Sequence, residues 1–323
     1  MDSAKGRNVQ TAINFEKVNA QVSLENLPEY RNAYREMCEG ASFRLSGRYV
    51  AREVEVAAGE SPLKLRVYRP DGYGQFPIVV FFHGGGWIGG DADTCASLCQ
   101  VLADVANVVV VAPNYRLAPE SGISAPFEDA CRAFDWAVSN AADIDGDAEV
   151  VAVAGEGTGA YLAAFIVQRA LSLGQTLPTL QLLIDPEFTN WSFHELFKPP
   201  FASIADAVAF LSDSEWWSGE SNQFVESLSG EDRAALGIEQ GPPVTLVIGG
   251  ANALNDAYLK EFMRDLAVRG GAVGMKFYSE DRQGFVSPYG EDNNNGGVAL
   301  RYAARMLRYS LRQGWDPLLG LER

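Results

Sequence analysis

Val151 to Ala163 reads VAVAGEGTGAYLA. An apolar run enters a Gly-x-Gly-x-Gly turn at Gly155, Gly157 and Gly159, and a helix-like pattern follows at once. A sharp strand-to-helix turn of this kind lifts its central residue clear of a sheet and sets the next residue's backbone N–H beside it. The central residue here is Gly157, which has no attacking atom. Thr158 carries a hydroxyl one position on and is the candidate substitute nucleophile; its other reading is a residue that starts the helix and bonds locally. A second glycine-rich stretch, FFHGGGWIGGD (81–91), also follows an apolar run. Gly84, Gly85 and Gly86 in succession let backbone N–H groups turn toward one point, a nest for developing negative charge. With Trp87 beside it and the Thr158 N–H opposite, that nest makes a three-donor oxyanion hole.

Asp185, in LLIDPE, closes another apolar run. That places a carboxylate at a sheet's carboxyl edge, where ligands of open α/β sheets bind. Desolvated there, it would hold a proton more tightly and serve as general acid or base; its other reading caps a turn before Pro186. His194 reads as packing in an aromatic segment, and Asp281 is a weaker acid–base candidate.

The elements that must position these residues follow from periodicity. YVAREVEVA and LKLRVYRP alternate apolar and polar at period two, which suits a half-exposed antiparallel pair. PIVVFFH (77–83) and VVVVAP (108–113) are continuous apolar runs, the pattern of strands buried on both faces. The stretches 91–106, APFEDACRAFDWAVSNA, GAYLAAFIVQRALSL, LNDAYLKEFMRDLAVRG and the closing GGVALRYAARMLRYSLRQ read as helices, and EVVAVAG, LQLLID, PVTLVIGG and GMKFYS as strands between them. Such alternation predicts a mostly parallel eight-stranded sheet with helices on both faces. One domain spans 1–323. A helical cap comes from 1–45, where Leu27, Tyr30, Tyr34 and Met37 are spaced along LPEYRNAYREM, and from 187–240, whose Phe193, Phe197, Trp216 and Trp217 read as an apolar ceiling.

The chain of 323 residues has a net charge of -16, which argues against nucleic acid or an anionic membrane as partner. Its four cysteines and two histidines form no metal-ligand pattern, so neither metal nor cofactor is expected. No run approaches a membrane span and the N-terminus lacks the apolar core of a secretory signal, so a cytoplasmic location is expected.

HGGGW at 83–87 and NYRLAPE at 114–120 together give the chain its likeness. It resembles the hormone-sensitive-lipase-like branch of the α/β-hydrolase fold, whose esterases carry H-G-G-G-[FW] and D-Y-R-L-A-P-E, and the likeness runs over roughly residues 50–312. The resemblance implies that fold, a structural role for Glu156, a His83 that holds the glycine loop in shape, and three catalytic positions. Its G-D-S-A-G-G turn falls on Gly155 to Ala160, with the serine's place held by Gly157. The aspartate's place is held by Asn252, in IGGANALND. The histidine's place is held by Gln283, in DRQGFVS, with Phe285 two residues on. Acyl transfer through such a triad needs an attacking oxygen, a base and a group that orients the base. Loss of the nucleophile or the base alone costs about 10⁶ in turnover.

The expectation is a non-hydrolytic catalyst in specialised metabolism, a cyclase, lyase, dehydratase or isomerase acting on a hydrophobic small molecule, with Asp185, Thr158 and Gln283 as the residues of its chemistry. The binding residues expected are Gly84, Gly85, Gly86, Trp87, Gly157, Thr158, Asn252 and Phe285. The alternative is a pseudo-hydrolase that binds a ligand, as the plant gibberellin receptors of similar sequence do. Relatives that pair through their last strand or helix imply a homodimer.

Overall fold

The computed structural model describes residues 25–39, 49–57, 61–122, 124–186, 243–250, 257–268, 271–278 and 294–313. Eight strands form one sheet in the order β1-β2-β4-β3-β5-β6-β7-β8. They are β1 (Tyr49–Val56), β2 (Leu63–Pro70), β3 (Phe76–Phe82), β4 (Val109–Pro113), β5 (Gly146–Glu156), β6 (Leu180–Ile184), β7 (Val244–Gly249) and β8 (Val273–Phe277). β1 pairs antiparallel with β2, and β2 with β4, while every pairing from β4 to β8 is parallel. This is the α/β-hydrolase fold with its mostly parallel eight-stranded sheet.

The described helices are α1 (Leu27–Glu39), α2 (Ala96–Val101, continued by a wider turn over Leu102–Ala106), α3 (Ala125–Ser139), α4 (Thr158–Leu173), α5 (Ala257–Val268) and α6 (Asn294–Gln313). Strand alternation divides the core. Ile78, Val80 and Phe82 of β3 point to the face covered by α3, α4 and α5, where Phe127, Phe134, Tyr161, Phe165 and Leu259 pack. Val79 and Phe81 point to the opposite face, covered by α2 and α6 through Leu98, Leu102, Leu300 and Leu307. Each buried Leu or Phe removes enough apolar surface from water to contribute about 1.5–3 kcal/mol, so β3, β4 and β5 are anchored from both sides.

One helix differs from its expected bounds. Residues 91–95 do not join α2, because the Asp91 carboxylate accepts the Asp93 and Thr94 N–H groups at 3.0 and 2.9 Å and so holds the chain in a turn. The expected cap segment 187–240 lies outside the described residues, and α1 is the described part of 1–45. Among the described residues no helix is long and apolar enough to cross a membrane.

Candidate functional site

β3 and β5 are parallel neighbours with Phe82 opposite Gly155, so the loops that leave their carboxyl ends start side by side. The loop after β3 is His83 to Trp87; the turn after β5 is Gly157. Gly157 has φ 55° and ψ −119°, a backbone that only glycine takes without strain, and α4 begins at Thr158 directly after it. Gly157 donates its N–H to the Ile184 carbonyl at 3.0 Å. Gly159 packs its Cα against the Phe82 and His83 carbonyls with no room for a side chain, which brings the first turn of α4 against the loop. A Cβ at Gly157, by contrast, would lie 4.0 Å from the Gly84 Cα, with nothing nearer among the described residues. The apex of the turn is intact, and among the described residues no atom crowds the space over it.

Gly85, Gly86 and Trp87 have φ of 116°, 65° and 70°, so the chain curls and turns successive N–H groups inward. Among the described residues the N–H groups of Gly85, Gly86 and Thr158 meet no acceptor. Trp87 is buried rather than lining an opening: its indole stacks on Phe127 at 5.5 Å and meets Tyr161 edge-on at 6.2 Å. That aromatic cluster holds a bulky residue at positive φ, where it is otherwise disfavoured.

His83 closes the base of the loop. Its Nδ1–H donates to the Gly84 carbonyl at 2.8 Å, and its ring stacks on Tyr115 at 4.1 Å. The Tyr115 hydroxyl donates to the His83 carbonyl at 2.7 Å. Burial lowers the His83 pKa from 6.5 to about 4, against smaller opposing effects of the Gly84 carbonyl and Asp91, so the imidazole is neutral. Burial also raises the Tyr115 pKa well above its usual value.

The second motif buttresses the first. Besides Tyr115, the Asn114 side chain accepts the Ala92 N–H at 2.6 Å, and Ala118 donates its N–H to the Trp87 carbonyl at 3.0 Å. Arg116 anchors the segment to α3 through the buried Asp129 and through Glu128. HGGGW and NYRLAPE therefore occur together because one is the backing of the other.

α1 lies against the same loop. Tyr30 donates its hydroxyl to the Gly85 carbonyl at 3.3 Å. Arg31 donates Nε–H to the Ile88 carbonyl at 2.7 Å, reaches the Ala118 carbonyl at 3.1 Å, and forks onto Glu120 at 2.6 and 2.7 Å. Arg35 pairs with Asp91 at 2.7 Å. Tyr34 sets its hydroxyl 3.4 Å from where a Gly84 Cβ would stand. From its sequence this helix reads as a cap with an apolar stripe, a pattern that does not reveal its polar grip on the loop. The available signal was Arg31 and Arg35, four apart and each one position after a tyrosine of the stripe.

The expected chemical residues are placed as follows. The Thr158 hydroxyl is buried beside the Tyr115 hydroxyl, makes no well-formed hydrogen bond, and has no base within reach among the described residues. Asp185 is buried at the end of β6 with φ 45°; its carboxylate accepts the Gly250 N–H at 3.0 Å and its own N–H donates to the Ile248 carbonyl at 2.6 Å. It thus spans the carboxyl ends of β6 and β7. Gln283, Asn252 and Phe285 lie outside the described residues, as do Asp281 and His194. Among the described residues no cluster of three or more His, Cys, Asp or Glu could hold a metal ion.

Comparison with known proteins corrects the functional expectation. Esterase LipI of Mycobacterium tuberculosis is 32% identical over 265 residues, a match that spans 79% of this chain and 82% of LipI. The carboxylic ester hydrolase LipN of the same organism is 33% identical over 246 residues, spanning 71% of this chain and 62% of LipN. Among solved structures, an ester hydrolase from the metagenome of Lake Arreo, complexed with a bipyridine phosphonate derivative, has a TM-score of 0.73 at 23% identity, covering 94% of this chain and 97% of that one, which shows the fold. These relatives are esterases. They overturn the expected cyclase, lyase, dehydratase or isomerase, and the pseudo-hydrolase with it, and point to ester hydrolysis. The expectation had a physical root: it inferred a lost reaction from a lost nucleophile, although an oxyanion hole and substrate binding alone still accelerate ester hydrolysis about 10³–10⁴-fold over water. Residues 79–287 match the family model described as alpha/beta hydrolase fold, and the chain belongs to that family, in its hormone-sensitive-lipase-like branch.

Proposed function

We propose that the protein hydrolyses carboxylic esters by direct attack of water, with the oxyanion held by the N–H groups of Gly85, Gly86 and Thr158 and no acyl-enzyme formed at residue 157. The observation that carries this reading is the space over Gly157, where among the described residues nothing lies nearer to a Cβ than the Gly84 Cα at 4.0 Å, beside the unpaired N–H groups of Gly85, Gly86 and Thr158. In this reading a water molecule takes the place of a serine side chain. Its oxygen bonds to the carbonyl carbon as the C=O electron pair moves onto the oxyanion. Collapse then expels the alcohol oxygen, which takes up the proton the water loses, so ester and water give acid and alcohol. Asn252 and Gln283 are amides where the resemblance implies the acid and the base, which further supports a route without imidazole.

The magnitude expected is modest. An oxyanion hole and substrate binding alone leave about 10³–10⁴-fold acceleration over water, and a full triad adds several orders more. The four described cysteines are all free and buried, which supports work in a reducing compartment, the cytoplasm.

The test is p-nitrophenyl butyrate turnover by the pure protein, run with a fluorophosphonate label for nucleophilic serine or threonine. The expected result is slow turnover, no label, and a fall of about 10²-fold or more in Thr158→Pro. Proline suits the first helical position; it removes the N–H donor together with a hydroxyl that makes no well-formed hydrogen bond, and the label tells loss of the donor from loss of a nucleophile. Stoichiometric labelling of one residue, or turnover unchanged in Thr158→Pro, would overturn the proposal.

A further inference from the structure

The backing of the oxyanion loop forms a chain of peptide planes that starts on α1. A peptide group is planar, with its C=O and the following N–H pointing in opposite directions, so a donor that fixes the carbonyl also aims the N–H. The Gly85 carbonyl shares its plane with the Gly86 N–H. That carbonyl receives three donors: the Tyr30 hydroxyl at 3.3 Å, the Ile88 N–H at 3.3 Å and the Gly89 N–H at 2.9 Å. The Gly89 N–H in turn shares its plane with the Ile88 carbonyl, which Arg31 Nε holds at 2.7 Å. Arg31 therefore fixes Ile88–Gly89, which fixes Gly85–Gly86 from behind, and Tyr30 acts on the same carbonyl directly. The parallel role for Gly85 is played by His83, whose Nδ1–H holds the Gly84 carbonyl at 2.8 Å.

We infer that Tyr30 and Arg31 are positioning residues for the reaction: through this relay they aim the Gly86 N–H at the oxyanion. The inference rests on the ester-binding reading of the loop given above. Tyr30 is buried and its ring presses on Gly89, 2.9 Å from where a Gly89 Cβ would stand, so loop and helix fit each other closely. Arg31 is held in turn by its two-pronged contact with Glu120 and by the Ala118 carbonyl, which ties the relay to the second motif as well. A guanidinium fork of this kind fixes direction as well as charge, which an ammonium cannot do.

The test measures affinity for two probes by calorimetry: p-nitrophenyl propylphosphonate, an anion shaped like the tetrahedral intermediate of a butyrate ester, and N-(4-nitrophenyl)butyramide, a neutral carbonyl compound of the same outline. Tyr30→Phe removes one hydroxyl and Arg31→Lys keeps the charge without the fork. Both are expected to weaken phosphonate binding about tenfold while amide binding stays within about twofold, since small misplacement of a donor is felt mainly by developed charge. Arg69→Met, which breaks a distant pair with Asp145, should leave the ratio of the two affinities unchanged. Equal weakening of both probes, or no change, would assign Tyr30 and Arg31 a merely structural role and overturn the inference alone. Failure of the unaltered protein to bind the phosphonate would overturn the ester-binding reading and the inference together. Should Arg31→Lys fold poorly, Glu120→Gln loosens the same fork from its exposed end and should shift the ratio in the same direction.

Discussion

At the residue scale the loop depends on a histidine that stays neutral. His83 is buried, its pKa is lowered from 6.5 to about 4, and its Nδ1–H must point at the Gly84 carbonyl to aim the Gly85 N–H. The sign of the pH effect follows from linkage. Between pH 6.5 and about 4 the unfolded chain binds a proton that the folded chain refuses, so stability is full above 6.5, falls as pH drops through that window, and levels below it. The expected loss between pH 7 and pH 5 is about 2 kcal/mol in urea-unfolding free energy. His83→Asn keeps a donor without titrating, so its profile should be flatter by that amount; an equally steep profile would place the proton uptake elsewhere. The outline of the site was legible in the sequence because glycine runs act locally: in the two stretches read as a turn and a nest, Gly85, Gly86 and Gly157 take positive φ. The state of His83 was not legible, because it is set by burial, to which residues distant in sequence such as the stacked Tyr115 contribute.

At the element scale, what matters is how the sheet's carboxyl edge is tied. Asp185 ends β6 in a left-handed backbone and accepts the Gly250 N–H, so it fixes the exit of β7. The sequence marked Asp185 by its place on the edge, yet its partner is 65 residues on and no local pattern reveals it. Two variants separate its roles. Asp185→Asn keeps an acceptor and tolerates positive φ, so turnover of p-nitrophenyl butyrate should stay within about threefold. Asp185→Ala leaves a buried N–H without its acceptor, which costs about 1–3 kcal/mol, and should lower both melting temperature and turnover. A fall of about 100-fold in Asp185→Asn with the fold intact would make it an acid–base group instead. The same distance limit hid the grip of α1 on the oxyanion loop: Tyr30 and Arg31 lie more than fifty residues before the carbonyls they hold, and an arginine beside an apolar stripe reads from sequence as a solvated face. Strands β3 and β4, whose signal is their own apolar composition, were found almost to the residue.

At the scale of the whole molecule the sheet has two edges, and their chemistry differs. β1 presents Arg52, Glu53 and Glu55 along a largely exposed strand, charges that discourage pairing with another chain. β8 exposes Met275 beside Lys276, and exposed Val298 and Tyr302 lie on α6. The homodimer that the resemblance implies would therefore form at β8, joining two sheets antiparallel across a two-fold axis. Each chain carries a net charge of -16, so association works against long-range repulsion that salt screens. Sedimentation velocity should then give a dimer whose dissociation constant falls as sodium chloride rises from 0.05 to about 0.5 M, the range over which screening shortens to a few ångströms. Met275→Glu adds like charge at the shared edge and should give a monomer with ester turnover unchanged, because β8 lies four strands from β3. Val50→Glu on β1 should leave the dimer as it was. A dimer that survives Met275→Glu but yields to Val50→Glu would move the interface to the other edge, and a monomer at every salt concentration would mean that the repulsion outweighs what Met275 and its neighbours bury.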